Sequence, residues 1–535
     1  MATIRKENAM RLIGLLHEAQ AAHGYLSPAT LRQLAEQAGV PVHRVQQLVS
    51  FYPTFRTTPP PRVELAVCRD VACHLAGGDA CAARLQQLAG PDVEVKTVSC
   101  LGRCDRAPAG LLNHEPIPVA NAEQVAAWVA QPHTTPPFHL PPPTRWRIDP
   151  YPTAAEQYGA IRNLQSLPLD EGAQWVLSEL QAAGLRGMGG AGFPTARKWA
   201  LVRQEPRFPK TVIVNADESE PGTFKDARLL ADVPHLVLEG LLVALHTLQA
   251  QTGIVFLRHE YAAEGQRLQA ALDHLRAVGL LRPPLRIDIV VSPGGYILGE
   301  ETALLEALED RRGEPRNKPP FPGTQGLHGQ PTLINNVETF AHIPSILQHG
   351  GAWWKAQGTA GCGGLKFIAV SGHVTRPGVY EVPLGTTVRE LIEQAGGMQD
   401  GRELLAFAPG GASSNWLPAD RADVKLDFAE LAQAGSMLGS GALIVAAAGT
   451  DLLAVASNIT RFFGKESCGK CVPCRIGSAK AVELLEGVRA GQLPPTALEV
   501  LPPLGQTMAA TSICGLGQVA VAPAISLLNV LRTNA

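Results

Sequence analysis

Four cysteines near the end of the chain carry its sharpest chemical signal. Cys468, Cys471 and Cys474 recur every third residue in Glu-Ser-Cys-Gly-Lys-Cys-Val-Pro-Cys-Arg, and Cys514 follows forty residues later in Ser-Ile-Cys-Gly-Leu-Gly. A C-x2-C-x2-C triplet with one distant thiolate is the usual way of holding a [4Fe–4S] cube: the compact loop serves three irons and a return segment the fourth. Structural zinc more often pairs two separated C-x2-C knuckles, so zinc is the poorer reading. A second set stands near the other end, where Cys68 and Cys73 have four residues between them and Cys100 and Cys104 have three. Two such pairs suit a rhombic [2Fe–2S] cluster, with two thiolates on each iron. Zinc keeps some weight here, because composition cannot name a metal. Disulfides are disfavoured, since the opening Met-Ala-Thr-Ile-Arg-Lys-Glu has no apolar signal core. Cys81 and Cys362 are left over and read as ordinary small thiols.

The middle of the chain offers groups suited to an organic cofactor. Its glycine loop, Gly187-Met188-Gly189-Gly190-Ala191-Gly192-Phe193-Pro194-Thr195, contains G-x-G-x-x-G at Gly187, Gly189 and Gly192. A Rossmann loop needs a strand before it and a helix after it. Here residues 174–183 have helical spacing and the next clear strand is 211–214, so the standard dinucleotide fold is rejected. The glycines instead let backbone amides approach a phosphate or a flat ring. Alone, such a loop is often only a tight turn. It is joined, however, by Asn215-Ala-Asp217-Glu218-Ser219-Glu220, by Gly299-Glu300-Glu301-Thr302, by Arg316-Asn-Lys318-Pro-Pro-Phe321 and by Asn335-Asn336. Separately, the acidic runs could be solvated faces and the proline run a loop.

The elements that must position these groups are legible from punctuation. Apolar residues spaced by three and four in 7–56 (Met10, Leu12, Ile13, Leu16, then Leu31, Leu34, Val45, Leu48) predict a helical cluster over 1–57. Short β-branched runs alternating with Ala/Leu-rich stretches predict a compact α/β unit over 58–130, with the four cysteines on its loops. Gln131-Pro-His-Thr-Thr-Pro-Pro-Phe-His-Leu-Pro-Pro-Pro opens a semi-rigid linker over 131–150. Residues 151–360 mix helices with buried strands, 361–430 resemble a small β-grasp unit, and 431–535 are expected to be mostly helical around the cube ligands. Residues 432–450, the least charged long stretch, read as buried strand and turn. No segment is expected to span a membrane, and 46 basic against 48 acidic residues leave no nucleic-acid footprint. The composition suits a cytoplasmic redox protein of several domains.

Taken together, these motifs resemble the FMN-containing, NADH-oxidising subunit of respiratory complex I and its relatives in NAD-reducing hydrogenases and NAD-dependent formate dehydrogenases. Residues 1–130 are similar to the small thioredoxin-like [2Fe–2S] subunit of those enzymes, fused in front. The resemblance implies a multidomain α/β protein: N-terminal helical cluster, thioredoxin-like domain, complex I flavoprotein-type FMN domain, β-grasp domain and helical [4Fe–4S] domain. It implies that Gly187, Gly189, Gly190, Lys198, Asn215, Asp217, Gly299, Asn335 and Asn336 line the FMN site. It implies that Phe193, Glu220, Glu301, Lys318 and Phe321 meet NAD(H), with Glu218 and Glu300 beside them. FMN is expected to do the hydride chemistry, with Glu220 and Glu301 nearby and no side chain acting as a proton-transfer catalyst. The eight cysteines, Cys68, Cys73, Cys100, Cys104, Cys468, Cys471, Cys474 and Cys514, are the implied cluster ligands.

Three positions depart from the family pattern: Met188 stands where complex I relatives usually carry Arg, Leu201 where some have an aromatic, and Ala227 where an Arg is expected. Arg258-His259-Glu260-Tyr261, Met188 and the Asp217–Glu220 run look most like the fused diaphorase subunit of NAD-dependent formate dehydrogenases. On that reading the partner is a molybdenum- or tungsten-pterin subunit that oxidises formate. The alternatives are the diaphorase of an NAD-reducing [NiFe] hydrogenase or a fused complex I module.

Overall fold

Three sheets, each built from the β-branched runs of one stretch of chain, bring the candidate residues to their edges. The structure, a computed structural model, describes residues 11–90, 92–131 and 138–533. Met10 and the linker residues 132–137 lie outside the described residues. The first sheet contains β1 (Val63–Cys68), β2 (Val93–Val98), β3 (Ala109–Leu112) and β4 (Glu115–Pro118) in the order β2-β1-β3-β4. β1 and β2 run parallel with Cys68 opposite Val98. Cys68 ends β1, Cys73 lies in the following helix Val71–Leu75, and Cys100 and Cys104 follow β2. Parallel pairing therefore delivers both halves of the cysteine set to one edge of the sheet.

The second sheet is all parallel: β5 (Thr211–Ala216), β6 (Thr252–Leu257), β7 (Arg286–Val291) and β8 (Thr332–Asn336), in the order β7-β6-β5-β8. Its strands are near-continuous apolar runs because helices Pro234–Leu248 and Val337–His349 help to cover it. Those two helices meet closely at Gly240, where an added Cβ would stand 2.2 Å from the Phe340 carbonyl oxygen. In open parallel sheets ligands sit beyond the carboxyl ends of the strands. Here Asn215 and Asn336 are register partners at that edge.

The third sheet joins β9 (Leu365–Gly372), β10 (Gly378–Pro383), β11 (Leu404–Ala408), β12 (Leu417–Pro418) and β13 (Ala442–Ala447) in the order β10-β9-β13-β11-β12. The expected boundary between 430 and 431 falls inside this unit. The uncharged stretch around 432–450 supplies its fully buried central strand, β13, parallel to β9. After β13 the chain is helical, with helices Leu452–Glu466, Val472–Arg489, Leu501–Thr511, Gly515–Val519 and Ala522–Thr533.

One stretch contradicts the expectation that nothing is long and apolar enough for a membrane: Gly515–Thr533 has the length and composition, although half of it is buried in the fold. Leu527 and Val530 lie in the same core as Val455, Ile459 and Phe462, so its apolar face has a partner within the fold. At the other end, helices Arg11–His23, Pro28–Ala38 and Val42–Phe51 form the N-terminal cluster. Ser27 caps the second by accepting from the Thr30 amide, and Gly39 ends it in a left-handed turn. Asp310 fastens the cluster to the parallel-sheet domain by accepting from the Leu12 and Ile13 amides, both at 2.9 Å.

Candidate redox and nucleotide site

The glycine loop bridges helices Leu169–Ala183 and Thr195–Gln204, as its helical flanks require. It closes on itself through Gly187 N–H to the Phe193 carbonyl at 2.8 Å and Thr195 N–H to the Leu185 carbonyl at 2.9 Å. The loop lies against the end of β8, where a Cβ on Gly189 would stand 3.0 Å from the Asn336 Cβ. Gly190 has φ +124°, a conformation that disfavours any side chain, and faces Gly439 and Ser440 of the third sheet's unit. Met188, at the position of the expected Arg, is buried, and its amide donates to Thr339 Oγ1.

Around this cradle the predicted polar groups converge. Lys198 Nζ donates to the Ile334 carbonyl at 2.7 Å and to Glu301 at 3.2 Å. Trp199 Nε1 donates to Asn335 Oδ1, Asn215 Nδ2 to the Gly299 carbonyl, and Asn336 Nδ2 to Asp226 Oδ2. Asp217 has one oxygen on Ser219 Oγ, while its Oδ2 is buried without a hydrogen-bond partner. Burial, with Arg258 opposing, pushes the Asp217 carboxyl up to about 7. A buried acceptor without a partner, a glycine loop and a lysine are the group types that fit a polyhydroxylated, phosphate-bearing ring system such as FMN.

The carboxylates divide into those already spent and those facing outward. Glu218 accepts from the Asp226 and Ala227 amides at 2.8 and 3.1 Å and from Tyr261 at 2.9 Å, so it caps helix Lys225–Asp232. Glu300 likewise accepts from the Thr302 and Ala303 amides and caps helix Glu301–Leu308. Glu220 is fixed by two groups the sequence did not point to, Tyr296 Oη at 2.6 Å and the Ser413 amide at 2.6 Å. Lys318 reaches both Glu300 and Glu301, at 2.8 and 2.9 Å. Burial opposes the Glu301 charge, but Lys198 and Lys318 outweigh it and hold the carboxyl below its usual value. Phe193 and Phe321 are exposed beside this cluster, as is Leu201.

Beneath the cradle lies a charge network that no motif announced. Lys225 Nζ touches Asp226, Glu338 and Asn336, and Lys366 on β9 donates to the same Glu338. Lys225, Lys366 and Glu338 are all buried. Glu338 also accepts from the Phe367 amide, so one carboxylate, through Lys225, ties Asn336 to the third sheet.

The two thiol sets are gathered as their spacing suggested. Cys68, Cys73, Cys100 and Cys104 are all buried. Cys100 and Cys104 Sγ lie 3.5 Å apart, and amides of Gly102 and Ala109 donate to the Cys100 and Cys73 sulfurs. Cys471 is the N-cap of helix Val472–Arg489, Cys474 lies in its first turn, and Cys514 caps the short helix Gly515–Val519. With Cys468 they line a small cavity that Ile297, Pro315 and Leu516 also border. No cysteine is in a disulfide. Among the described residues no group of three His, Cys, Asp or Glu is drawn in around a single ion. Buried, disulfide-free thiols with amide donors on their sulfurs fit iron–sulfur clusters.

Two residues link these sites. The turn Tyr296–Gly299 places Tyr296 on Glu220 and Ile297 on the cube cavity. Glu466 accepts from the Tyr296 amide and from Ser99 Oγ, joining that turn to the N-terminal cysteine loop. Glu466 stands two residues before Cys468; nothing in its spacing marks it.

Comparison with known proteins agrees with this division. The Nuo51 FMN-binding domain profile matches residues 180–345, and the thioredoxin-like [2Fe-2S] ferredoxin profile matches 1–132. The NADH-ubiquinone oxidoreductase-F iron-sulfur binding region matches 454–534, and an SLBB domain matches 367–413. The chain therefore carries binding domains for FMN, a [2Fe–2S] cluster and a [4Fe–4S] cluster. The F subunit of the NADH-quinone oxidoreductase of Streptomyces coelicolor is 39% identical over 394 residues, covering 72% of this chain and 87% of that protein. Its Escherichia coli counterpart is 37% identical, covering 73% and 91%. A chain of an NAD+-reducing [NiFe]-hydrogenase in the air-oxidised state superposes with a TM-score of 0.88 at 32% identity, covering 99% of this chain and 94% of that one.

Proposed function

The chain belongs to the NADH-quinone oxidoreductase F-subunit family, as an NAD(H)-dependent flavoprotein oxidoreductase subunit, and we propose that it is the diaphorase subunit of a larger NAD-linked enzyme. The observation that carries this reading is the Tyr296–Gly299 turn, one end of which holds Glu220 while Ile297 lines the cube cavity. When bound, FMN supplies the conversion between hydride exchange with a nicotinamide and single-electron exchange with the clusters. Lys198 and the glycine loop of Gly187, Gly189 and Gly190 would hold its phosphate and ring, and Asp217, whose Oδ2 has no partner, would accept a hydrogen bond from it. Asn215, Asn335 and Asn336, each fixed by a neighbour, complete that wall. Glu220, held by Tyr296 and Ser413, presents its remaining acceptor capacity to nucleotide hydroxyls, and the exposed rings of Phe193 and Phe321 offer stacking faces. Lys318 and Glu301 pair at the mouth and keep each other charged.

For the partner, the proposal turns to the hydrogenase type. The hydrogenase chain matches this one almost end to end, whereas the quinone-oxidoreductase relatives cover about three quarters of it. The formate reading leaned on Arg258-His259-Glu260-Tyr261, Met188 and the Asp217–Glu220 run, but Arg258 and Tyr261 are engaged with Glu218 inside the fold and Met188 is buried there. They therefore argue for no particular electron donor. The same reading puts the protein in the cytoplasm, to be checked by cell fractionation. Elemental analysis of the complex that co-purifies anaerobically with the tagged chain tests the partner. Nickel beside iron supports the hydrogenase type, molybdenum or tungsten restores the formate type, and iron with neither supports a complex I module. Failure to oxidise NADH with ferricyanide after FMN loading would remove the diaphorase reading itself.

A further inference from the structure

Residues 258–261 close over the N-terminal cysteine loop. Arg258 is buried, and four of its five N–H groups are engaged. Nε and Nη2 donate to the two Glu260 oxygens at 2.8 and 3.1 Å. Nη1 donates to the Glu218 carbonyl, and Nη2 also donates to the carbonyl of Cys100. The guanidinium lies 5.3 Å from the Tyr261 ring centroid. That ring in turn crowds Gly102, where a Cβ would stand 2.4 Å from the Tyr261 hydroxyl. On the other side of the loop the buried Asp70 carboxylate accepts from the Cys100 amide at 2.6 Å. Two charged pairs thus stand around one cysteine, Arg258 with Glu260 and Asp70 with Arg69 at 4.0 Å, and Arg258 donates directly to that cysteine's own carbonyl.

Reduction of a cluster on Cys68, Cys73, Cys100 and Cys104 adds one negative charge to this enclosed place. Charges exert their largest effect where water is excluded, and cluster potentials follow net charge and hydrogen bonding around the sulfurs. We propose that Arg258 and Glu260 are the positioning pair that sets the reduction potential of this cluster, Arg258 favouring the reduced form and Glu260 opposing it. The inference rests on those four cysteines being the [2Fe–2S] ligands. It concerns the potential alone and requires no electron to pass through either side chain.

The test is an EPR-monitored redox titration of the [2Fe–2S] signal in the anaerobic full-length chain, for wild type, Arg258→Gln, Arg258→Lys and Glu260→Gln. Arg258→Gln removes the cation and leaves Glu260, so the midpoint is expected to fall. Glu260→Gln leaves an unopposed cation, so the midpoint is expected to rise, and Arg258→Lys is expected to stay nearer wild type. A merely structural role moves both neutralising variants the same way or neither, and either result overturns the proposal. Should Arg258→Gln lose its iron, Glu260→Gln decides alone: a rise supports the pair and an unchanged or lower midpoint overturns it. Absence of the signal in the wild type removes the cluster assignment, and the proposal with it. A wild-type signal with unmoved variants removes the proposal only.

Discussion

The seam where the N-terminal domain meets the two central domains and the face that carries Cys471 and Lys318 solve similar problems in opposite ways. At the seam all four thiols are 2–3% exposed, and Arg258, Lys225, Lys366 and Glu338 are buried as well. On the open face Cys468, Cys471 and Cys514 are half-buried, and Val472 and Ile476, next to them in sequence, are 58% and 57% exposed. The seam is assembled from distant pieces: Arg258 and Cys100 are 158 residues apart. The open site is mostly local, a loop and one helix start joined by a return segment. Fold and function are therefore entangled at the seam, while on the open face they separate.

The hardest way to break that contrast is to remove Glu338. Its carboxylate serves Lys225, Lys366, His342 and the Phe367 amide. Burial disfavours its charge, but the two lysines outweigh it and hold the carboxyl far below the usual range. Glu338→Ala leaves the buried Lys366 without its anion and Lys225 with Asp226 alone, a change that costs roughly 3–5 kcal/mol. The expected outcome is a chain that purifies with little flavin and unfolds at lower denaturant. Unfolding and flavin retention equal to wild type would show that the seam is not held by charge.

On the open face the expected result is the reverse. Cys471→Ser is predicted to lose about four irons of roughly six and to cut electron transfer to the partner at least about 100-fold, while Tm moves little. Cys104→Ser, at the seam, is predicted to lose about two irons and to lower Tm clearly more. Iron content, Tm and NADH–ferricyanide turnover, measured side by side, check both. Equal Tm losses would erase the distinction. A milder version uses oxidant alone: on exposure to air the cube signal is expected to bleach before the sealed [2Fe–2S] signal.

What could be read from sequence divides along the same line. The cysteines of both sets and the glycine loop were legible because their identity lies in spacing along the chain, which folding does not scramble. β13 was placed in the wrong unit because its partner β9 lies some seventy residues back, and pairing at that distance leaves no periodic trace. Ser413 reaches Glu220 from 193 residues away, Arg258 reaches Cys100 from 158, and Glu466 reaches Tyr296 from 170. Glu218 and Glu300 were grouped with the cofactor residues because a carboxylate in a motif looks alike whether it meets a ligand or caps a helix. For Glu300 a signal existed, since Glu-Glu-Thr-Ala-Leu-Leu opens a helix and an acceptor before it is a cap. Tyr296 stands three residues before the Gly299-Glu300-Glu301-Thr302 motif, yet only the fold shows its hydroxyl on Glu220.

The smallest effect expected is also the one with a fixed sign on each side. Asp217, in the interior of the cradle, has its carboxyl raised to about 7, chiefly by burial, against roughly 4 for an unfolded Asp. Between those values the folded chain holds a proton that the unfolded chain has released. Stability from this group is thus complete below about pH 4 and is lost as pH rises through about 7. Glu301, at the mouth, is shifted the other way: burial raises it, but Lys198 and Lys318 prevail and lower it. Its contribution is present above the ordinary glutamate value and disappears as pH falls through the folded one. In melts of the flavin-free chain, Asp217→Asn should therefore gain about a degree or two over wild type above pH 7 and nothing near pH 4. Glu301→Gln should lose a similar amount above pH 5 and converge on wild type in acid. Two variants that shift in the same direction would mean that the cradle and its mouth do not differ electrostatically, and the division into a sealed and an open region would then rest on packing alone.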